Sequence, residues 1–411
     1  MLSTEIYPQH IIDPTGVLSS IKLEDIKDED ASSKLLENDS FQAIAKSFSN
    51  VENNKSNVSG AGPYKVESVE TGQYIVLKKK ENYWGEKYAE VDQLKSYPDR
   101  IVFQFIKDET TALTLLKNDE LDVVDFSKMP VAQYEDLKAD TSFSKQYNFE
   151  TVSLQRFVIL VFNNEDVRLS DREVRVAFRH LVDVDRFIDQ LAGGYGTKIN
   201  SVIHFSKPQY NKNLPEQEYN IDKAIAKLEK AGWVDTDGDG VRDKVIDGKK
   251  ESLIFRFHIT GSFFSTSASA IIKEACQNAG ISINIIEKPW GATRSENINT
   301  GDYDMLISLR TATPTRDDPY LYYHSSNIGL GKDNTIRYAS DVADRLMETI
   351  RETDDETERM RAYMEFQKVF EHDAPAIPLY SQQLRIVIDK QIDPVTSSAR
   401  PGYFVNANAS L

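Results

Sequence analysis

The chain has 411 residues, 40% hydrophobic and 28% charged, with a formal net charge of −16. That length and apolar content suit a globular protein of two or three domains with a sizeable core. The acidic balance argues against a nucleic-acid partner, since affinity for phosphates comes from Lys and Arg. The single cysteine, Cys276, leaves no intramolecular disulfide to form.

Residues 1–59 are the least patterned, with an acidic run (Glu24, Asp25, Asp28, Glu29, Asp30) and a polar stretch Asn53–Ser59 that read as loops around short helices. From Gly60 the pattern sharpens. Tyr64–Val69 and Tyr74–Lys80 are β-prone runs around Thr71-Gly72, which predicts a hairpin. Ile101, Val102, Phe103 and Phe105 predict a strand, Asp108 caps a helix through Leu116, and Leu121–Phe126 resumes as strand, together suggesting a β-α-β unit. Phe157–Phe162 is a continuous apolar run, the mark of a strand buried on both faces. Ser170 and Glu173 have the spacing of a capping box ahead of a helix over Glu173–Val182.

A helix over Asp222–Ala231 stops at Gly232. Leu253–Ile259 predicts a strand, Ser265–Asn278 a helix stopped by Gly280, and Ile281, Ile283 and Ile285 a further strand. Cys276 falls on the apolar face of that helix and reads as a buried small side chain. Helices over Asp341–Arg351 and Glu356–Glu371 follow, then strands over Ala376–Tyr380 and Leu384–Ile388. Strands alternating with helices of this length indicate an α/β protein.

Catalytic constellations are missing. The six histidines are scattered, with no HExxH, GxSxG, P-loop or CxxC pattern, so an enzyme is not expected. Asp235, Asp237, Asp239, Gly240 and Asp243 follow the spacing of a calcium loop, although Ile246 stands where a bidentate Glu belongs. A structural calcium and a polar turn both remain open there. Trp84 and Trp233 read as packing residues. Trp290, just past a predicted strand end, is a candidate wall for a ligand pocket. The loop Arg310–Asp318, with Arg310, Thr311, Thr313, Asp317 and Asp318, sits where α/β proteins gather ligand contacts.

Several stretches resemble the family 5 extracellular solute-binding proteins, the peptide- and nickel-binding components of ABC importers. They are Gly60–Val66 (GAGPYKV), Tyr83-Trp84-Gly85, Leu116–Asp122, Asn163 with Leu169–Ala177 and Asp183–Arg186, Ala224–Trp233, Gly301–Asp304 and Ala374–Tyr380. The resemblance implies a ligand held between two lobes, with Trp290 as the pocket tryptophan and Phe162-Asn163 as a strand end touching the ligand backbone. Thr313 or Thr315 stands where peptide binders carry an amine-binding Asp, with Asp317 and Asp318 close by. Only 59 residues precede Gly60, fewer than the family usually has there, so the start of the first lobe is expected to be absent.

The expectation is an α/β, two-lobed periplasmic-binding-protein-like fold of class II type. Residues 1–155 with 376–411 form lobe I, whose N-terminal part is missing, and 156–375 form lobe II. The expected function is capture of a peptide or similar small organic solute, with Arg310 and Asp317 on its charged ends, and delivery to an ABC permease. The expected protein is a monomer without a cofactor other than the calcium in question, periplasmic or anchored on the extracytoplasmic face. A sensor or scavenger uncoupled from transport, and less readily a hydrolase, are the alternatives.

Overall fold

The computed structural model describes residues 12–27, 29–48, 60–88, 90–91, 94–127, 129–312, 316–392 and 396–398. The hairpin forms as expected: β1 (Tyr64–Glu70) and β2 (Tyr74–Lys79) meet at a turn in which Gly72 takes φ 78°. β3 (Arg100–Gln104) pairs with β2, closing a three-stranded antiparallel sheet. The expected β-α-β unit does not exist. The helix Glu109–Lys117 is there, capped by Asp108, but β4 (Val123–Asp125) joins a different sheet.

That second sheet contains eight strands. It takes in β5 (Tyr147–Ser153), β6 (Arg156–Phe162), β7 (Gly196–Lys198), β10 (Ile254–Ile259), β11 (Ser282–Glu287), β12 (Met305–Thr311) and β13 (Ala376–Asp389), in the order β11-β10-β12-β6-β13-β4, with β5 and β7 also on β13. β8 (Asp243–Ile246) and β9 (Lys249–Ser252) make a small separate hairpin.

β6 explains the layering. Successive strand residues point to opposite faces, and both faces of β6 are covered. Val158, Leu160 and Phe162 pack with Val174, Phe178, Leu228, Ile272 and the buried Cys276, from helices Arg172–Leu181, Ile221–Lys230 and Phe263–Asn278. Phe157, Ile159 and Val161 pack with Met347, Ile350, Phe366 and Phe370 of helices Asp341–Glu352 and Glu356–Asp373. Burying each large apolar side chain stabilises by about 1.5–3 kcal/mol, which a polar residue at any of these six positions would forfeit. Trp233 is fully buried in the first of these cores and donates its indole N–H to Asp171 at 3.0 Å, as a packing tryptophan should; Trp84 is half exposed.

Two further corrections concern element ends. The N-cap of the helix Arg172–Leu181 is Asp171, which accepts from the Glu173 amide, while the Ser170 hydroxyl donates to the Val167 carbonyl instead. The two strands expected after Pro375 are one, β13, 14 residues long with an irregular register between Pro378 and Tyr380. Its first part pairs with β6 and its last part with β5 and β4, so the strand serves both halves of the molecule and the changeover falls near Ser381, not at Ala376.

Arg175 staples the lower end of this sandwich. It is buried, and its guanidinium donates to the carbonyls of Leu169 (2.7 Å), Ser170 (3.0 Å), Asp373 (2.6 Å) and Ala374 (3.2 Å). The last two lie where the helix Glu356–Asp373 ends on a left-handed residue, Ala374 with φ 48°, and would otherwise lack partners. Burial pushes the Arg175 guanidinium down to about 10, leaving it charged at neutral pH. Arg175→Ala is expected to cost at least about 3 kcal/mol, since it strands several buried carbonyls. Arg175→Lys should recover less than half, because one ammonium cannot span the fork. Urea unfolding of the two variants checks this.

Candidate functional site

β10, β11 and β12 are parallel, so Ile259, Glu287 and Thr311 end at the same edge of the sheet. Ligand sites in α/β proteins collect at this edge. Trp290 stands just beyond β11, opening a short turn Trp290–Ala292 that continues as a π-helical stretch Thr293–Ile298; it is 44% exposed. Phe263, 76% exposed at the start of the helix after β10, and Leu309 on β12, 44% exposed, lie toward the same edge. No motif marks Phe263, the first helical residue after the Ser262 N-cap.

β6 runs antiparallel to β12, with Arg156 opposite Thr311 and Phe162 opposite Met305. Phe162 and Asn163 therefore lie at the far end of the sheet from Trp290 and Arg310. Phe162 is wholly buried against Phe178, with ring centroids 5.2 Å apart, and offers no surface to a ligand. The Asn163 side-chain amide donates to the carbonyls of Gly301 and Tyr303 at 2.9 Å each, and its oxygen accepts from the Glu165 amide. These bonds place the loop ahead of β12 and leave Asn163 a framework residue. The family resemblance had implied that both residues touch the ligand backbone; here Phe162 is buried and Asn163 holds the framework.

Of the loop residues, Thr311 is exposed at the edge, and Thr313 lies outside the described residues. Arg310 is turned onto a neighbour: it donates to Thr335 Oγ1 at 2.7 Å and Ser308 Oγ at 3.3 Å, and lies over the Tyr322 ring at 5.3 Å. Asp318 receives Arg351 Nε at 3.0 and 3.1 Å. Arg351 in turn lies 3.8 Å over Tyr320, which stacks on His324 at 3.9 Å. Asp317 is buried, its carbonyl accepts from the Tyr363 hydroxyl, and its carboxylate acts on the buried Lys207. Burial pushes the Lys207 ammonium down, and Asp317 partly restores it. Lys207 comes from a distant connection and nothing in its local sequence marks it.

A second polar group lies where β5 passes into β6. His204, fully buried, contacts the Ser381 hydroxyl through Nε2 at 2.9 Å, and Ser381 donates to the Leu154 carbonyl at 3.3 Å. The Ser206 amide donates to His204 Nδ1 at 3.2 Å, which places the ring proton on Nε2. Burial, aided by Lys207, lowers the imidazole from 6.5 to about 4.

The Asp-rich turn only partly fits a cation. The carboxylates of Asp235, Asp237 and Asp239 approach within 4.8 Å of one another and are exposed. Asp243 does not join them: it is buried, accepts from Thr236 Oγ1 at 2.6 Å, and meets Lys250 at 3.1 Å. Lys250 also reaches Asp237 at 2.5 Å. Calcium asks for six or more oxygens; here one expected ligand is tied into the turn and a lysine ammonium already balances part of the charge.

Two α/β halves sharing strands, with an exposed aromatic at the carboxyl edge of a parallel set, define a fold of the periplasmic-binding type. The profile of the bacterial extracellular solute-binding proteins, family 5 (Middle), matches residues 18–331, and the chain belongs to that family. It is 26% identical over 325 residues to the oligopeptide-binding protein AppA of Bacillus subtilis, covering 78% of this chain and 56% of the relative. It is 25% identical over 333 residues to the nickel-binding periplasmic protein of Escherichia coli, covering 80% and 60%. The chain thus spans somewhat under two thirds of these relatives' length. Among solved structures, AppA of Bacillus subtilis in complex with a nonapeptide superposes with a TM-score of 0.68 at 24% identity, covering 87% of this chain and 68% of that one. NikZ of Campylobacter jejuni in complex with Ni(L-His) gives 0.66 at 22% identity, covering 88% and 67%. These likenesses establish the fold. Among the described residues no helix is long and apolar enough to cross a membrane.

Asn163→Ala is expected to cost about 2 kcal/mol of stability by leaving one buried and one half-buried carbonyl unpaired, a loss read in urea. His204 gives a pH signature. The unfolded chain binds its proton near 6.5 and the folded chain resists it until about 4. Its contribution is therefore complete above 6.5 and declines as pH falls from 6.5 to about 4. Chemical unfolding across that window should show a shallower pH slope in His204→Gln than in the parent chain.

Proposed function

We propose that this chain is the substrate-binding part of an ABC importer, capturing a peptide or similar small organic solute between two lobes and performing no chemistry. The lobes are 1–155 with the part of β13 from about Ser381 onward, and 156 to about 380, closing on the ligand as a hinged pair. The observation that carries the reading is the family match over 18–331, joined to an exposed Trp290 at the carboxyl edge of the parallel strands. The peptide and nickel chelate named with the similar structures suit a polar ligand with apolar parts. A membrane permease is the partner, the protein acts as a monomer, and its place is the periplasm or the extracytoplasmic membrane face.

Trp290 stacks on the ligand, with Phe263 and Leu309 continuing the apolar wall. Thr311 stands at the rim, and Thr313, outside the described residues, is kept as a ligand contact on the family resemblance alone. Asp318 is already paired with Arg351, so it shapes the loop; Arg310 and Asp317 meet charged ends of the ligand by exchanging their present partners Thr335 and Lys207. Native mass spectrometry of protein purified without denaturation should reveal a retained small solute. Trp290→Ala is then expected to weaken capture by about tenfold or more, as loss of a stacked aromatic does, with little change in the melting temperature of the empty protein. Undiminished capture by Trp290→Ala would sink the pocket assignment.

A further inference from the structure

Two segments of chain carry the sheet from one half of the molecule to the other. One is Leu154-Gln155, between β5, which pairs with the far part of β13, and β6, which pairs with the near part. The other is β13 itself around Ser381 and Gln382, where pairing passes from β6 to β5. β7 lies against this second crossing, with Thr197 opposite Ser381. His204 follows β7 by a short connection.

These crossings are joined by side chains. His204 Nε2–H donates to Ser381 Oγ, and Ser381 donates onward to the Leu154 carbonyl. Both side chains are fully buried. A backbone carbonyl of the first crossing is thus tied to the second crossing, and both to the connection after β7. A buried donor left without a partner is costly, so this relay resists any motion that parts the two crossings.

We propose that His204 is a latch for the hinge: it binds Leu154 and Ser381 into one pivot, so that the two crossings turn together when the halves close. The inference rests on the two-lobed capture reading. His204 is a positioning residue and touches no ligand. Without the relay the crossings flex independently, and opening at this point becomes local.

The test is amide hydrogen exchange followed by mass spectrometry on the ligand-free full chain. Ser381→Ala removes the central hydroxyl with the least change in volume, and His204→Leu removes the ring donor. In both, the amides of Gln155, Arg156 and Gln383 are expected to exchange about tenfold faster, while the helix Glu356–Asp373 keeps its protection. His204→Gln, whose side-chain amide can still donate, should recover part of the difference. Unchanged exchange at the crossings in Ser381→Ala overturns the proposal. So does an equal rise throughout the chain, which would mark a packing defect alone. Because no ligand is involved, failure of the function reading shows separately, as parent protein that retains no solute.

Discussion

The structure depends on one strand. β13 must hydrogen-bond to β6 at its start and to β5 and β4 at its end, so the halves share a single backbone ladder. Unpaired backbone groups are intolerable inside a protein, and a sheet extended through a common strand satisfies them with no linker between domains. Among the described residues, all four hydrophobic cores draw on β13. Ile377 and Leu379 enter the first core and Ala376 the second, on opposite faces of β6, while Val387 belongs to the third. Leu384, Ile386 and Ile388 supply the fourth. These cores change over around Ser381, and a polar residue can sit there because its hydroxyl finds a histidine and a carbonyl.

Much of the fold was legible. β6 was readable because seven residues in a row, six of them apolar, leave no polar face to expose. The helices Ile221–Lys230 and Phe263–Asn278 were readable from their periodicity and glycine stops. The β-α-β unit around Glu109–Lys117 was misread because strand propensity says nothing about which sheet a strand joins. β13 was split because Ser381, Gln382 and Gln383 look like a turn. Their polarity is answered by β7, β5 and His204, contacts distant in the chain that no local window contains.

The site was legible only in part, and for a related reason. The family-like motifs are real, but several hold the scaffold. Asn163 ties to Gly301 and Tyr303, and Asp304 takes Arg256 and Arg168, so two stretches widely separated in sequence form one framework knot. The direction of β6 decides which end Asn163 occupies, and direction is a property of the assembled sheet. Asp318 looked like a free carboxylate until Arg351 arrived from the helix Asp341–Glu352. Trp290 was picked out by its place just past a strand end and by the resemblance; that it stands 44% exposed is a property of the assembled edge.

The charge pattern supplies a last link. A chain carrying −16 overall places several of its arginines inside, and they go to backbone carbonyls more than to carboxylates. Arg175 holds four carbonyls, two at the end of the helix Glu356–Asp373 and two, Leu169 and Ser170, ahead of the helix Arg172–Leu181. Arg359 donates to Ile350 and Thr353 at the end of the preceding helix. Arg385, on β13, gathers Phe126, Ser127 and Met129 beneath the rings of Tyr134 and Tyr195. The guanidinium has five donors in a fixed plane, so one side chain satisfies a cluster of orphan carbonyls that no strand or helix could pair. This division frees most acidic groups for the surface, where solvent stabilises them, and pins the loops around β13 through Arg175 and Arg385.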